Sequence, residues 1–356
     1  MTTKRRQKSE FSAEIKRLHS YVKDCFDVAP THYWSDLLAS GMIGWGGFFF
    51  ALTTTNWILG VAGMSIAAVF LYRAVAFTHE LVHVPNWKIP GFHAAWHAVV
   101  GVPLLAPNFM YRQIHLDHHK KDHYATKADG EYWSFAASPV FHLLGFLFSG
   151  LVLPAMSLAR FGLLAPISVL HPAIRQWVEV NASSIGVQMI FERNEPKAKD
   201  RREWLIYEVI CSVLTITMLT LLATGVLSWW LLANWYALVA AIVTLNAIRA
   251  VGATHYYVHD TEIPINLKEQ IEDSINVDCE SLLTLILCPV GTRYHCLHHI
   301  FPTMPYHSLQ RAHRRLMQEL PEGHFYRRYE LPNVWVAWKT VWPTGTHGAR
   351  VVNQLQ

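Results

Sequence analysis

Histidines at regular helical spacing are the residues of this sequence with the clearest chemical potential. His115, His118 and His119 stand in HLDHH, at positions i, i+3 and i+4. On an α-helix this spacing puts three imidazoles on one face, within reach of a common point. Neutral imidazole nitrogens that converge in this way are metal ligands. The segment therefore predicts one side of a metal site.

Two further clusters extend this pattern. HCLHH repeats the spacing at His295, His298 and His299, and HELVH places His79 and His83 at i and i+4. A structural or catalytic zinc ion takes about four ligands, which leaves half of the eight imidazoles without a role. Two metal ions, each with several nitrogen ligands and an open position, would use all of them. We therefore expect a di-metal site.

Two other hypotheses account for part of the pattern. HELVH on its own matches HExxH, the zinc-protease motif, in which Glu80 would be the general base. That hypothesis gives the two HxxHH clusters no purpose. A membrane protein that binds or transports metal through histidines is the second alternative, but transport favours polar residues at the middle of the spans, which are apolar here.

Composition indicates a membrane protein. Of 356 residues, 52% are hydrophobic and only 16% are charged, and 14 Trp and 14 Tyr suit long contacts at the membrane interface. The five cysteines include no CxxC, which argues against a disulfide framework or a thiolate metal site. The N-terminus is basic and polar, so we expect no cleavable signal peptide. The net charge of +4 is spread along the chain, and no nucleic-acid partner is expected.

Four apolar segments are about long enough to cross roughly 30 Å of hydrocarbon. Short turns without Lys or Arg join them into two helical hairpins. We expect an all-α, polytopic membrane protein that forms a single domain over residues 1–356. In it, a helical cap holds the histidine-rich di-metal site. The expected spans are about 37–52, 57–77, 205–223 and 227–248, and the expected cap comprises 78–204 and 249–356.

Charge distribution predicts the orientation. Lys and Arg are abundant in the N-terminus, the central segment and the C-terminal third, which the positive-inside rule places in the cytoplasm. Arg73, Glu208 and Arg249 all lie toward that side of their spans, where a charge can reach the interface. At the bilayer centre each would cost about 2.5 to 3.5 kcal/mol. We therefore expect an integral, multi-pass protein with both termini and all histidine clusters in the cytoplasm, at the inner membrane if bacterial.

Two other apolar stretches need a different explanation. Residues 94–106 are too short to cross and predict a re-entrant or interfacial helix. Residues 135–170 are long enough, but one crossing there would put the third cluster on the wrong side. We expect interfacial helices, with a further hairpin as the alternative. The interrupting residues are Pro139, Pro154, Arg160 and Pro166.

The order of these motifs resembles the membrane fatty acid desaturase superfamily, which also contains hydroxylases and carotenoid oxygenases. HELVH is followed by HLDHH, by a second pair of spans and by HCLHHIFPTMPYH, so the resemblance runs from roughly Leu37 to Leu320. We call the three clusters histidine boxes. The first box, HELVH, is more similar to that of acyl-lipid desaturases than to that of acyl-CoA desaturases. The resemblance implies that all eight box histidines bind two iron ions. It also implies a further ligand near the fourth span, which is His255 or, as the alternative, His259.

The same resemblance implies an O₂-dependent oxidoreductase. Our first hypothesis is a desaturase that inserts a double bond into a fatty acyl chain of a lipid; the alternative is a lipid or carotenoid hydroxylase or ketolase. An unactivated C–H bond is beyond side-chain acids and bases, so the cofactor must supply the oxidising chemistry. The sequence has no HPGG haem motif and no Gly-rich dinucleotide loop. An external ferredoxin-, rubredoxin- or cytochrome b5-like donor, with its reductase, is therefore expected.

Other residues near the boxes are weaker candidates. His93 and His97 form a further HxxxH pair, which we assign to packing or headgroup contact. Carboxylates close to the boxes could accept the second N–H of a ligand histidine, with plain solvent exposure as the alternative. These carboxylates are Glu80, Asp117, Asp129 and Glu131.

Overall fold

The structure is a computed structural model that describes residues 3–133, 139–253 and 265–341. Within these ranges the regular structure is helical, and strand-like pairing is limited to isolated bridges at Asn276. The predicted all-α class is confirmed. The described α-helices are α1 (Thr3–Val22), α2 (Pro30–Thr53), α3 (Trp57–His83), α4 (Phe92–Trp96), α5 (Phe109–His118), α6 (Val140–Leu147), α7 (Leu153–Ala159), α8 (Ala165–Ser168), α9 (Pro172–Asn181), α10 (Ala198–Ala223), α11 (Trp229–Ala253), α12 (Leu267–Glu272), α13 (Leu282–Leu287), α14 (His295–Ile300), α15 (Tyr306–Glu319) and α16 (Val334–Val341).

Four of these helices, α2, α3, α10 and α11, are long and apolar enough to cross a membrane. Large apolar side chains such as Met42, Val61 and Val213 are exposed on their outer faces, as lipid contact requires. The helices extend beyond the predicted apolar segments at several ends, because helical geometry continues into polar residues. As a result α3 ends at His83 and carries the first histidine box on its last turns.

The α2–α3 hairpin is held by close backbone contact. A Cβ atom on Gly47 would lie 2.8 Å from the carbonyl oxygen of Gly63, so only a hydrogen at this position lets the two helices approach. At the turn, the Asn56 side chain accepts hydrogen bonds from the backbone N–H groups of Ile58 and Leu59. This cap fixes the start of α3.

In the apolar stretch predicted over residues 135–170, the described part from 139 onward forms a bent pair of helical segments. Val140–Leu151 and Leu153–Ser168 meet at an angle of 55°, and a π-helical turn at Arg160–Leu164 joins α7 to α8. A bend of this size is typical of a broken span or a re-entrant element. A further hairpin, the alternative prediction, would instead need two antiparallel spans. Among the described residues, four helices could cross the membrane, or five if the bent pair counts as one span.

A buried ion cluster ties this bent pair to α10. Glu208 is 2% exposed and accepts hydrogen bonds from Arg160 and Arg175. Arg160 is fully buried and also donates to the carbonyl oxygen of Ala182 and the hydroxyl of Ser183, over 2.9 and 3.0 Å. Partners from a distant segment therefore satisfy the charge of Glu208 inside the protein, and the position of Glu208 toward the cytoplasmic side of its span stays a prediction.

Replacement of Glu208 by leucine should destabilise the protein strongly. It leaves the buried Arg160 without its carboxylate, whereas Arg175 keeps Glu179, and breaking a buried ion pair costs about 3 to 5 kcal/mol. The midpoint of thermal unfolding of the detergent-purified protein is the measurement. Glu203→Gln, at a half-exposed position of the same helix, is the control. Equal unfolding midpoints for Glu208→Leu and wild type would contradict the structural role of the cluster.

Candidate metal centre

The three histidine boxes lie on three helix ends that meet in space. The first occupies the last turns of α3, the second the end of α5, and the third forms α14. The position of α14 is set by buried backbone contacts: Leu297 N–H donates to the Asn276 side chain over 3.1 Å, and Cys296 N–H donates to the Ile275 carbonyl over 3.0 Å. Cys296 itself packs into the apolar core, away from the imidazoles.

Four imidazoles from all three boxes form a first group. One nitrogen from each of His79, His83, His115 and His298 lies within 4.8 Å of the others. The Nε2 atoms of His79 and His298 are 3.0 Å apart, and those of His83 and His115 are 2.8 Å apart. Residues separated by more than 200 positions along the chain thus converge on one point.

A second group lies beside the first. It consists of His118, His295 and His299, again with one nitrogen of each within 4.8 Å of the others. His119 lies between the groups: its Nε2 atom is 3.1 Å from that of His115 and 3.0 Å from that of His298. The structure therefore brings together all eight box histidines that the sequence singled out, as two adjoining groups.

Carboxylates orient two of these rings. The Nδ1 atom of His118 lies 2.9 Å from an oxygen of Asp129, and the Nδ1 atom of His115 lies 2.6 Å from Glu131. An Nδ1–H that donates to a carboxylate leaves the lone pair of the ring on Nε2, directed at the site. Of the four candidate carboxylates, Asp129 and Glu131 therefore occupy the expected position.

The other two candidate carboxylates have different partners. Asp117 accepts hydrogen bonds from Lys120 and Gln113. Glu80 accepts from the Tyr33 hydroxyl over 2.5 Å and from the Tyr306 N–H over 3.2 Å. Both contacts go to Oε2, and Oε1 lies 3.7 Å from Nδ1 of His79, so Glu80 faces a box histidine from its Nδ1 side.

Tyr111 is a further residue of the site, which the sequence motifs did not indicate. Its hydroxyl lies 2.9 Å from Nδ1 of His115 and donates to Glu131 over 3.1 Å. Tyr111 stands four residues before His115 and thus on the same helix face, which was an available signal.

Burial favours the neutral form of several site imidazoles, whereas Asp129 raises the pKa of His118. Burial, followed by repulsion from the neighbouring rings, lowers the pKa of His115, His119 and His298 well below the usual value. A neutral imidazole retains the lone pair that binds a metal. Two adjoining sets of imidazoles, two of which have Nδ1 carboxylate partners that direct Nε2 inward, fit a pair of nitrogen-ligated transition-metal ions.

The structure describes only some of the other candidate histidines. His255 and its alternative His259 lie outside the described residues. His97 stacks on Tyr207 with ring centroids 3.6 Å apart, and its Nδ1 atom lies 2.8 Å from the His93 carbonyl oxygen. The assignment of His97 to packing agrees with these contacts.

An elongated apolar cavity of about 590 Å³ opens from the histidine groups, and His79, His115, His295 and His298 are part of its wall. From there it follows α11 between Val239 and Ala250. At 1.5 Å per helical residue this stretch is about 16 Å long. The bent pair also lines the cavity, with Phe141, Phe146 and Leu153 among its lining residues. The arrangement suits a hydrocarbon chain with one end at the histidines.

Loss of the Asp129 carboxylate should weaken metal binding. Asp129→Asn removes the charge that orients His118, and changes of this kind typically cost 10- to 100-fold, roughly, in metal affinity. Titration of the purified, metal-free protein against a competing chelator measures the change. Asp122→Asn, at an exposed position nearby, is the matched control. Unchanged affinity in Asp129→Asn would argue against a metal at His118.

Comparison with known proteins agrees with this arrangement. The chain matches the family model described as fatty acid desaturase over residues 55–330. It is 35% identical over 318 residues to a ceramide hydroxylase of Caulobacter vibrioides (strain NA1000 / CB15N), and the match covers 89% of this chain and 90% of that relative. No solved structure matches the chain. The extent of these matches shows that the chain belongs to the fatty acid desaturase family and is an oxidoreductase, either a desaturase or a related hydroxylase.

Proposed function

We propose that this protein is a di-iron lipid hydroxylase that acts on ceramide-class lipids, which are amides of long-chain amino alcohols. The observation that carries the proposal is the apolar cavity that begins at the histidine groups and continues along α11. Its volume of about 590 Å³ lies in the range of small-molecule sites, and its apolar wall suits an alkyl chain.

The choice between hydroxylation and desaturation rests on the relative. Our first hypothesis from the sequence was desaturation, and the family description keeps that activity as the second candidate. The relative that aligns along most of both chains is named a ceramide hydroxylase. We therefore place hydroxylation first. In that reaction one atom of O₂ enters a C–H bond and the other leaves as water, with two protons and two electrons from a separate donor.

We propose that the eight box histidines hold the two iron ions, with His255 as a further ligand. When bound, the iron pair supplies the oxidising chemistry that no side chain can provide. The protein's own contribution is positional. Asp129 and Glu131 orient the rings of His118 and His115, while the apolar wall excludes water and aligns the lipid.

The remaining parts of the proposal concern the setting of the enzyme. We infer a single membrane domain, with the metal centre and both termini on the cytoplasmic side, because Lys and Arg are concentrated in the segments outside the spans. A ferredoxin-, rubredoxin- or cytochrome b5-like protein and its reductase would deliver electrons there.

Product mass tests the reaction. Incubation of the purified, iron-loaded protein with a ceramide, O₂ and a reducing system should give a product heavier by one oxygen atom. Mass spectrometry of the extracted lipid is the measurement. A product lighter by two hydrogen atoms would instead identify a desaturase, and an unchanged lipid would contradict both activities on this substrate.

Removal of one ligand tests the metal assignment. His298→Ala should lower the iron content below two ions per chain and reduce product formation by several orders of magnitude, since His298 is close to both His79 and His119. His97→Phe, which keeps a ring against Tyr207, is the matched control and should retain iron. Full iron occupancy and normal turnover in His298→Ala would rule out this site.

A further inference from the structure

Two polar side chains interrupt the apolar wall of the cavity near its histidine end. Asn246 and Arg249 lie one turn apart on α11, and both line the cavity. The wall formed by the preceding turns of the same helix is apolar, with Val239, Ile242 and Val243. A cation inside a largely apolar cavity is costly to desolvate and therefore calls for a specific explanation.

Arg249 donates its hydrogen bonds within its own helix, to a neighbouring side chain. Its Nε and Nη2 groups donate to the Asn246 side-chain oxygen over 3.2 and 3.1 Å. In the described ranges its guanidinium forms no ion pair with a carboxylate, whereas Arg160 pairs with Glu208. Arg193 and Arg293 also lack such a pair, but they donate to backbone carbonyl oxygens, which Arg249 does not. The side-chain N–H groups of Asn246 likewise donate to no described atom. The pair thus presents hydrogen-bond donors to the cavity.

The pair lies at the same level as the metal centre. α11 packs against α3, and Asn246 and Arg249 line the same cavity as His79 and His115. Arg249 also interacts electrostatically with Tyr111 and Glu131, the two residues that contact Nδ1 of His115. The donors are therefore close to the histidine groups, and the apolar part of the cavity extends away from them.

The nearby carboxylate bears on the kind of ligand. Glu131 offsets part of the Arg249 charge, so a neutral acceptor oxygen suits the pair better than a second anion would. Amide carbonyl and hydroxyl oxygens, the polar groups of a ceramide, are such acceptors. The carboxylate of a free fatty acid or a lipid phosphate would add negative charge beside Glu131.

We propose that Asn246 and Arg249 bind the amide carbonyl and neighbouring hydroxyl oxygens of the lipid, with one alkyl chain directed along α11 toward Val239. This inference rests on the proposed ceramide hydroxylase function. It assigns a substrate-binding role to the two residues and predicts where oxidation occurs. With the polar group held at the metal end, the new hydroxyl enters a carbon close to that group and not the middle of the chain.

The test compares variants of the full-length, iron-loaded protein. Arg249→Met and Asn246→Leu remove the donors and keep much of the side-chain volume, and Arg249→Lys retains the charge. Each donor variant should raise the KM for a ceramide about tenfold or more, as expected for a lost hydrogen bond from a charged group. Tandem mass spectrometry should show that oxygen insertion spreads to carbons farther from the amide. Arg249→Lys should restore part of both properties.

Iron content and the optical spectrum of the metal centre separate substrate binding from an indirect effect. Both should be unchanged in Arg249→Met if the residue binds lipid. Loss of iron or an altered spectrum would overturn the proposal, because Arg249 would then act through Glu131 and His115. Arg17→Met, an identical substitution at an exposed position of α1, is the control and should behave as wild type.

A binding measurement under anaerobic conditions distinguishes failure of this inference from failure of the proposed function. Wild-type protein that binds ceramide more tightly than Arg249→Met, yet forms no oxygenated product, would contradict the hydroxylase assignment and retain the binding role. Normal hydroxylation by wild type, with the same KM and the same product position in both donor variants, would overturn the binding role alone. Tighter binding of a free fatty acid than of a ceramide would overturn the choice of a neutral ligand.

Discussion

The convergence of eight imidazoles from three distant segments is the interaction on which the rest of this structure depends. Burial disfavours the charged form of each ring and so preserves the lone pairs that bind metal. The Nε2 atoms of neighbouring rings are about 3 Å apart, so each ring must keep a fixed orientation to direct its lone pair at a metal. Asp129 and Glu131 supply that constraint for two rings, and α3, α5 and α14 bring the boxes together.

Placing this centre at the ends of apolar helices has a direct functional consequence. A lipid chain can remain in apolar surroundings along α11 while one of its carbons lies at the metal end of the cavity. The same geometry separates this enzyme from the alternatives raised by its sequence. Glu80, the general base of the protease hypothesis, is held by Tyr33 and Tyr306, and membership of an oxidoreductase family leaves metal transport without support.

Buried charges are used in two different ways within the same membrane region. Arg160 is fully enclosed and paired with Glu208, so its charge serves to join the bent helical pair to α10. Arg249 lines a cavity, and its described hydrogen bonds go to a neutral amide. A charge satisfied within the protein is structural, whereas one that faces a cavity is available to a ligand.

The sequence by itself indicated the four long apolar helices and the eight box histidines that the structure brings together. Helical spacing and apolar segment length are local properties, and both can be recognised in the sequence without knowledge of the tertiary contacts. The path of the chain after α5 decides which carboxylates face the rings. Only the tertiary structure shows that Asp129 and Glu131 contact them and that Asp117 has other partners. Burial of Glu208 was likewise decided by an arginine 48 residues away, because a pairing between distant segments leaves no periodic pattern in the chain.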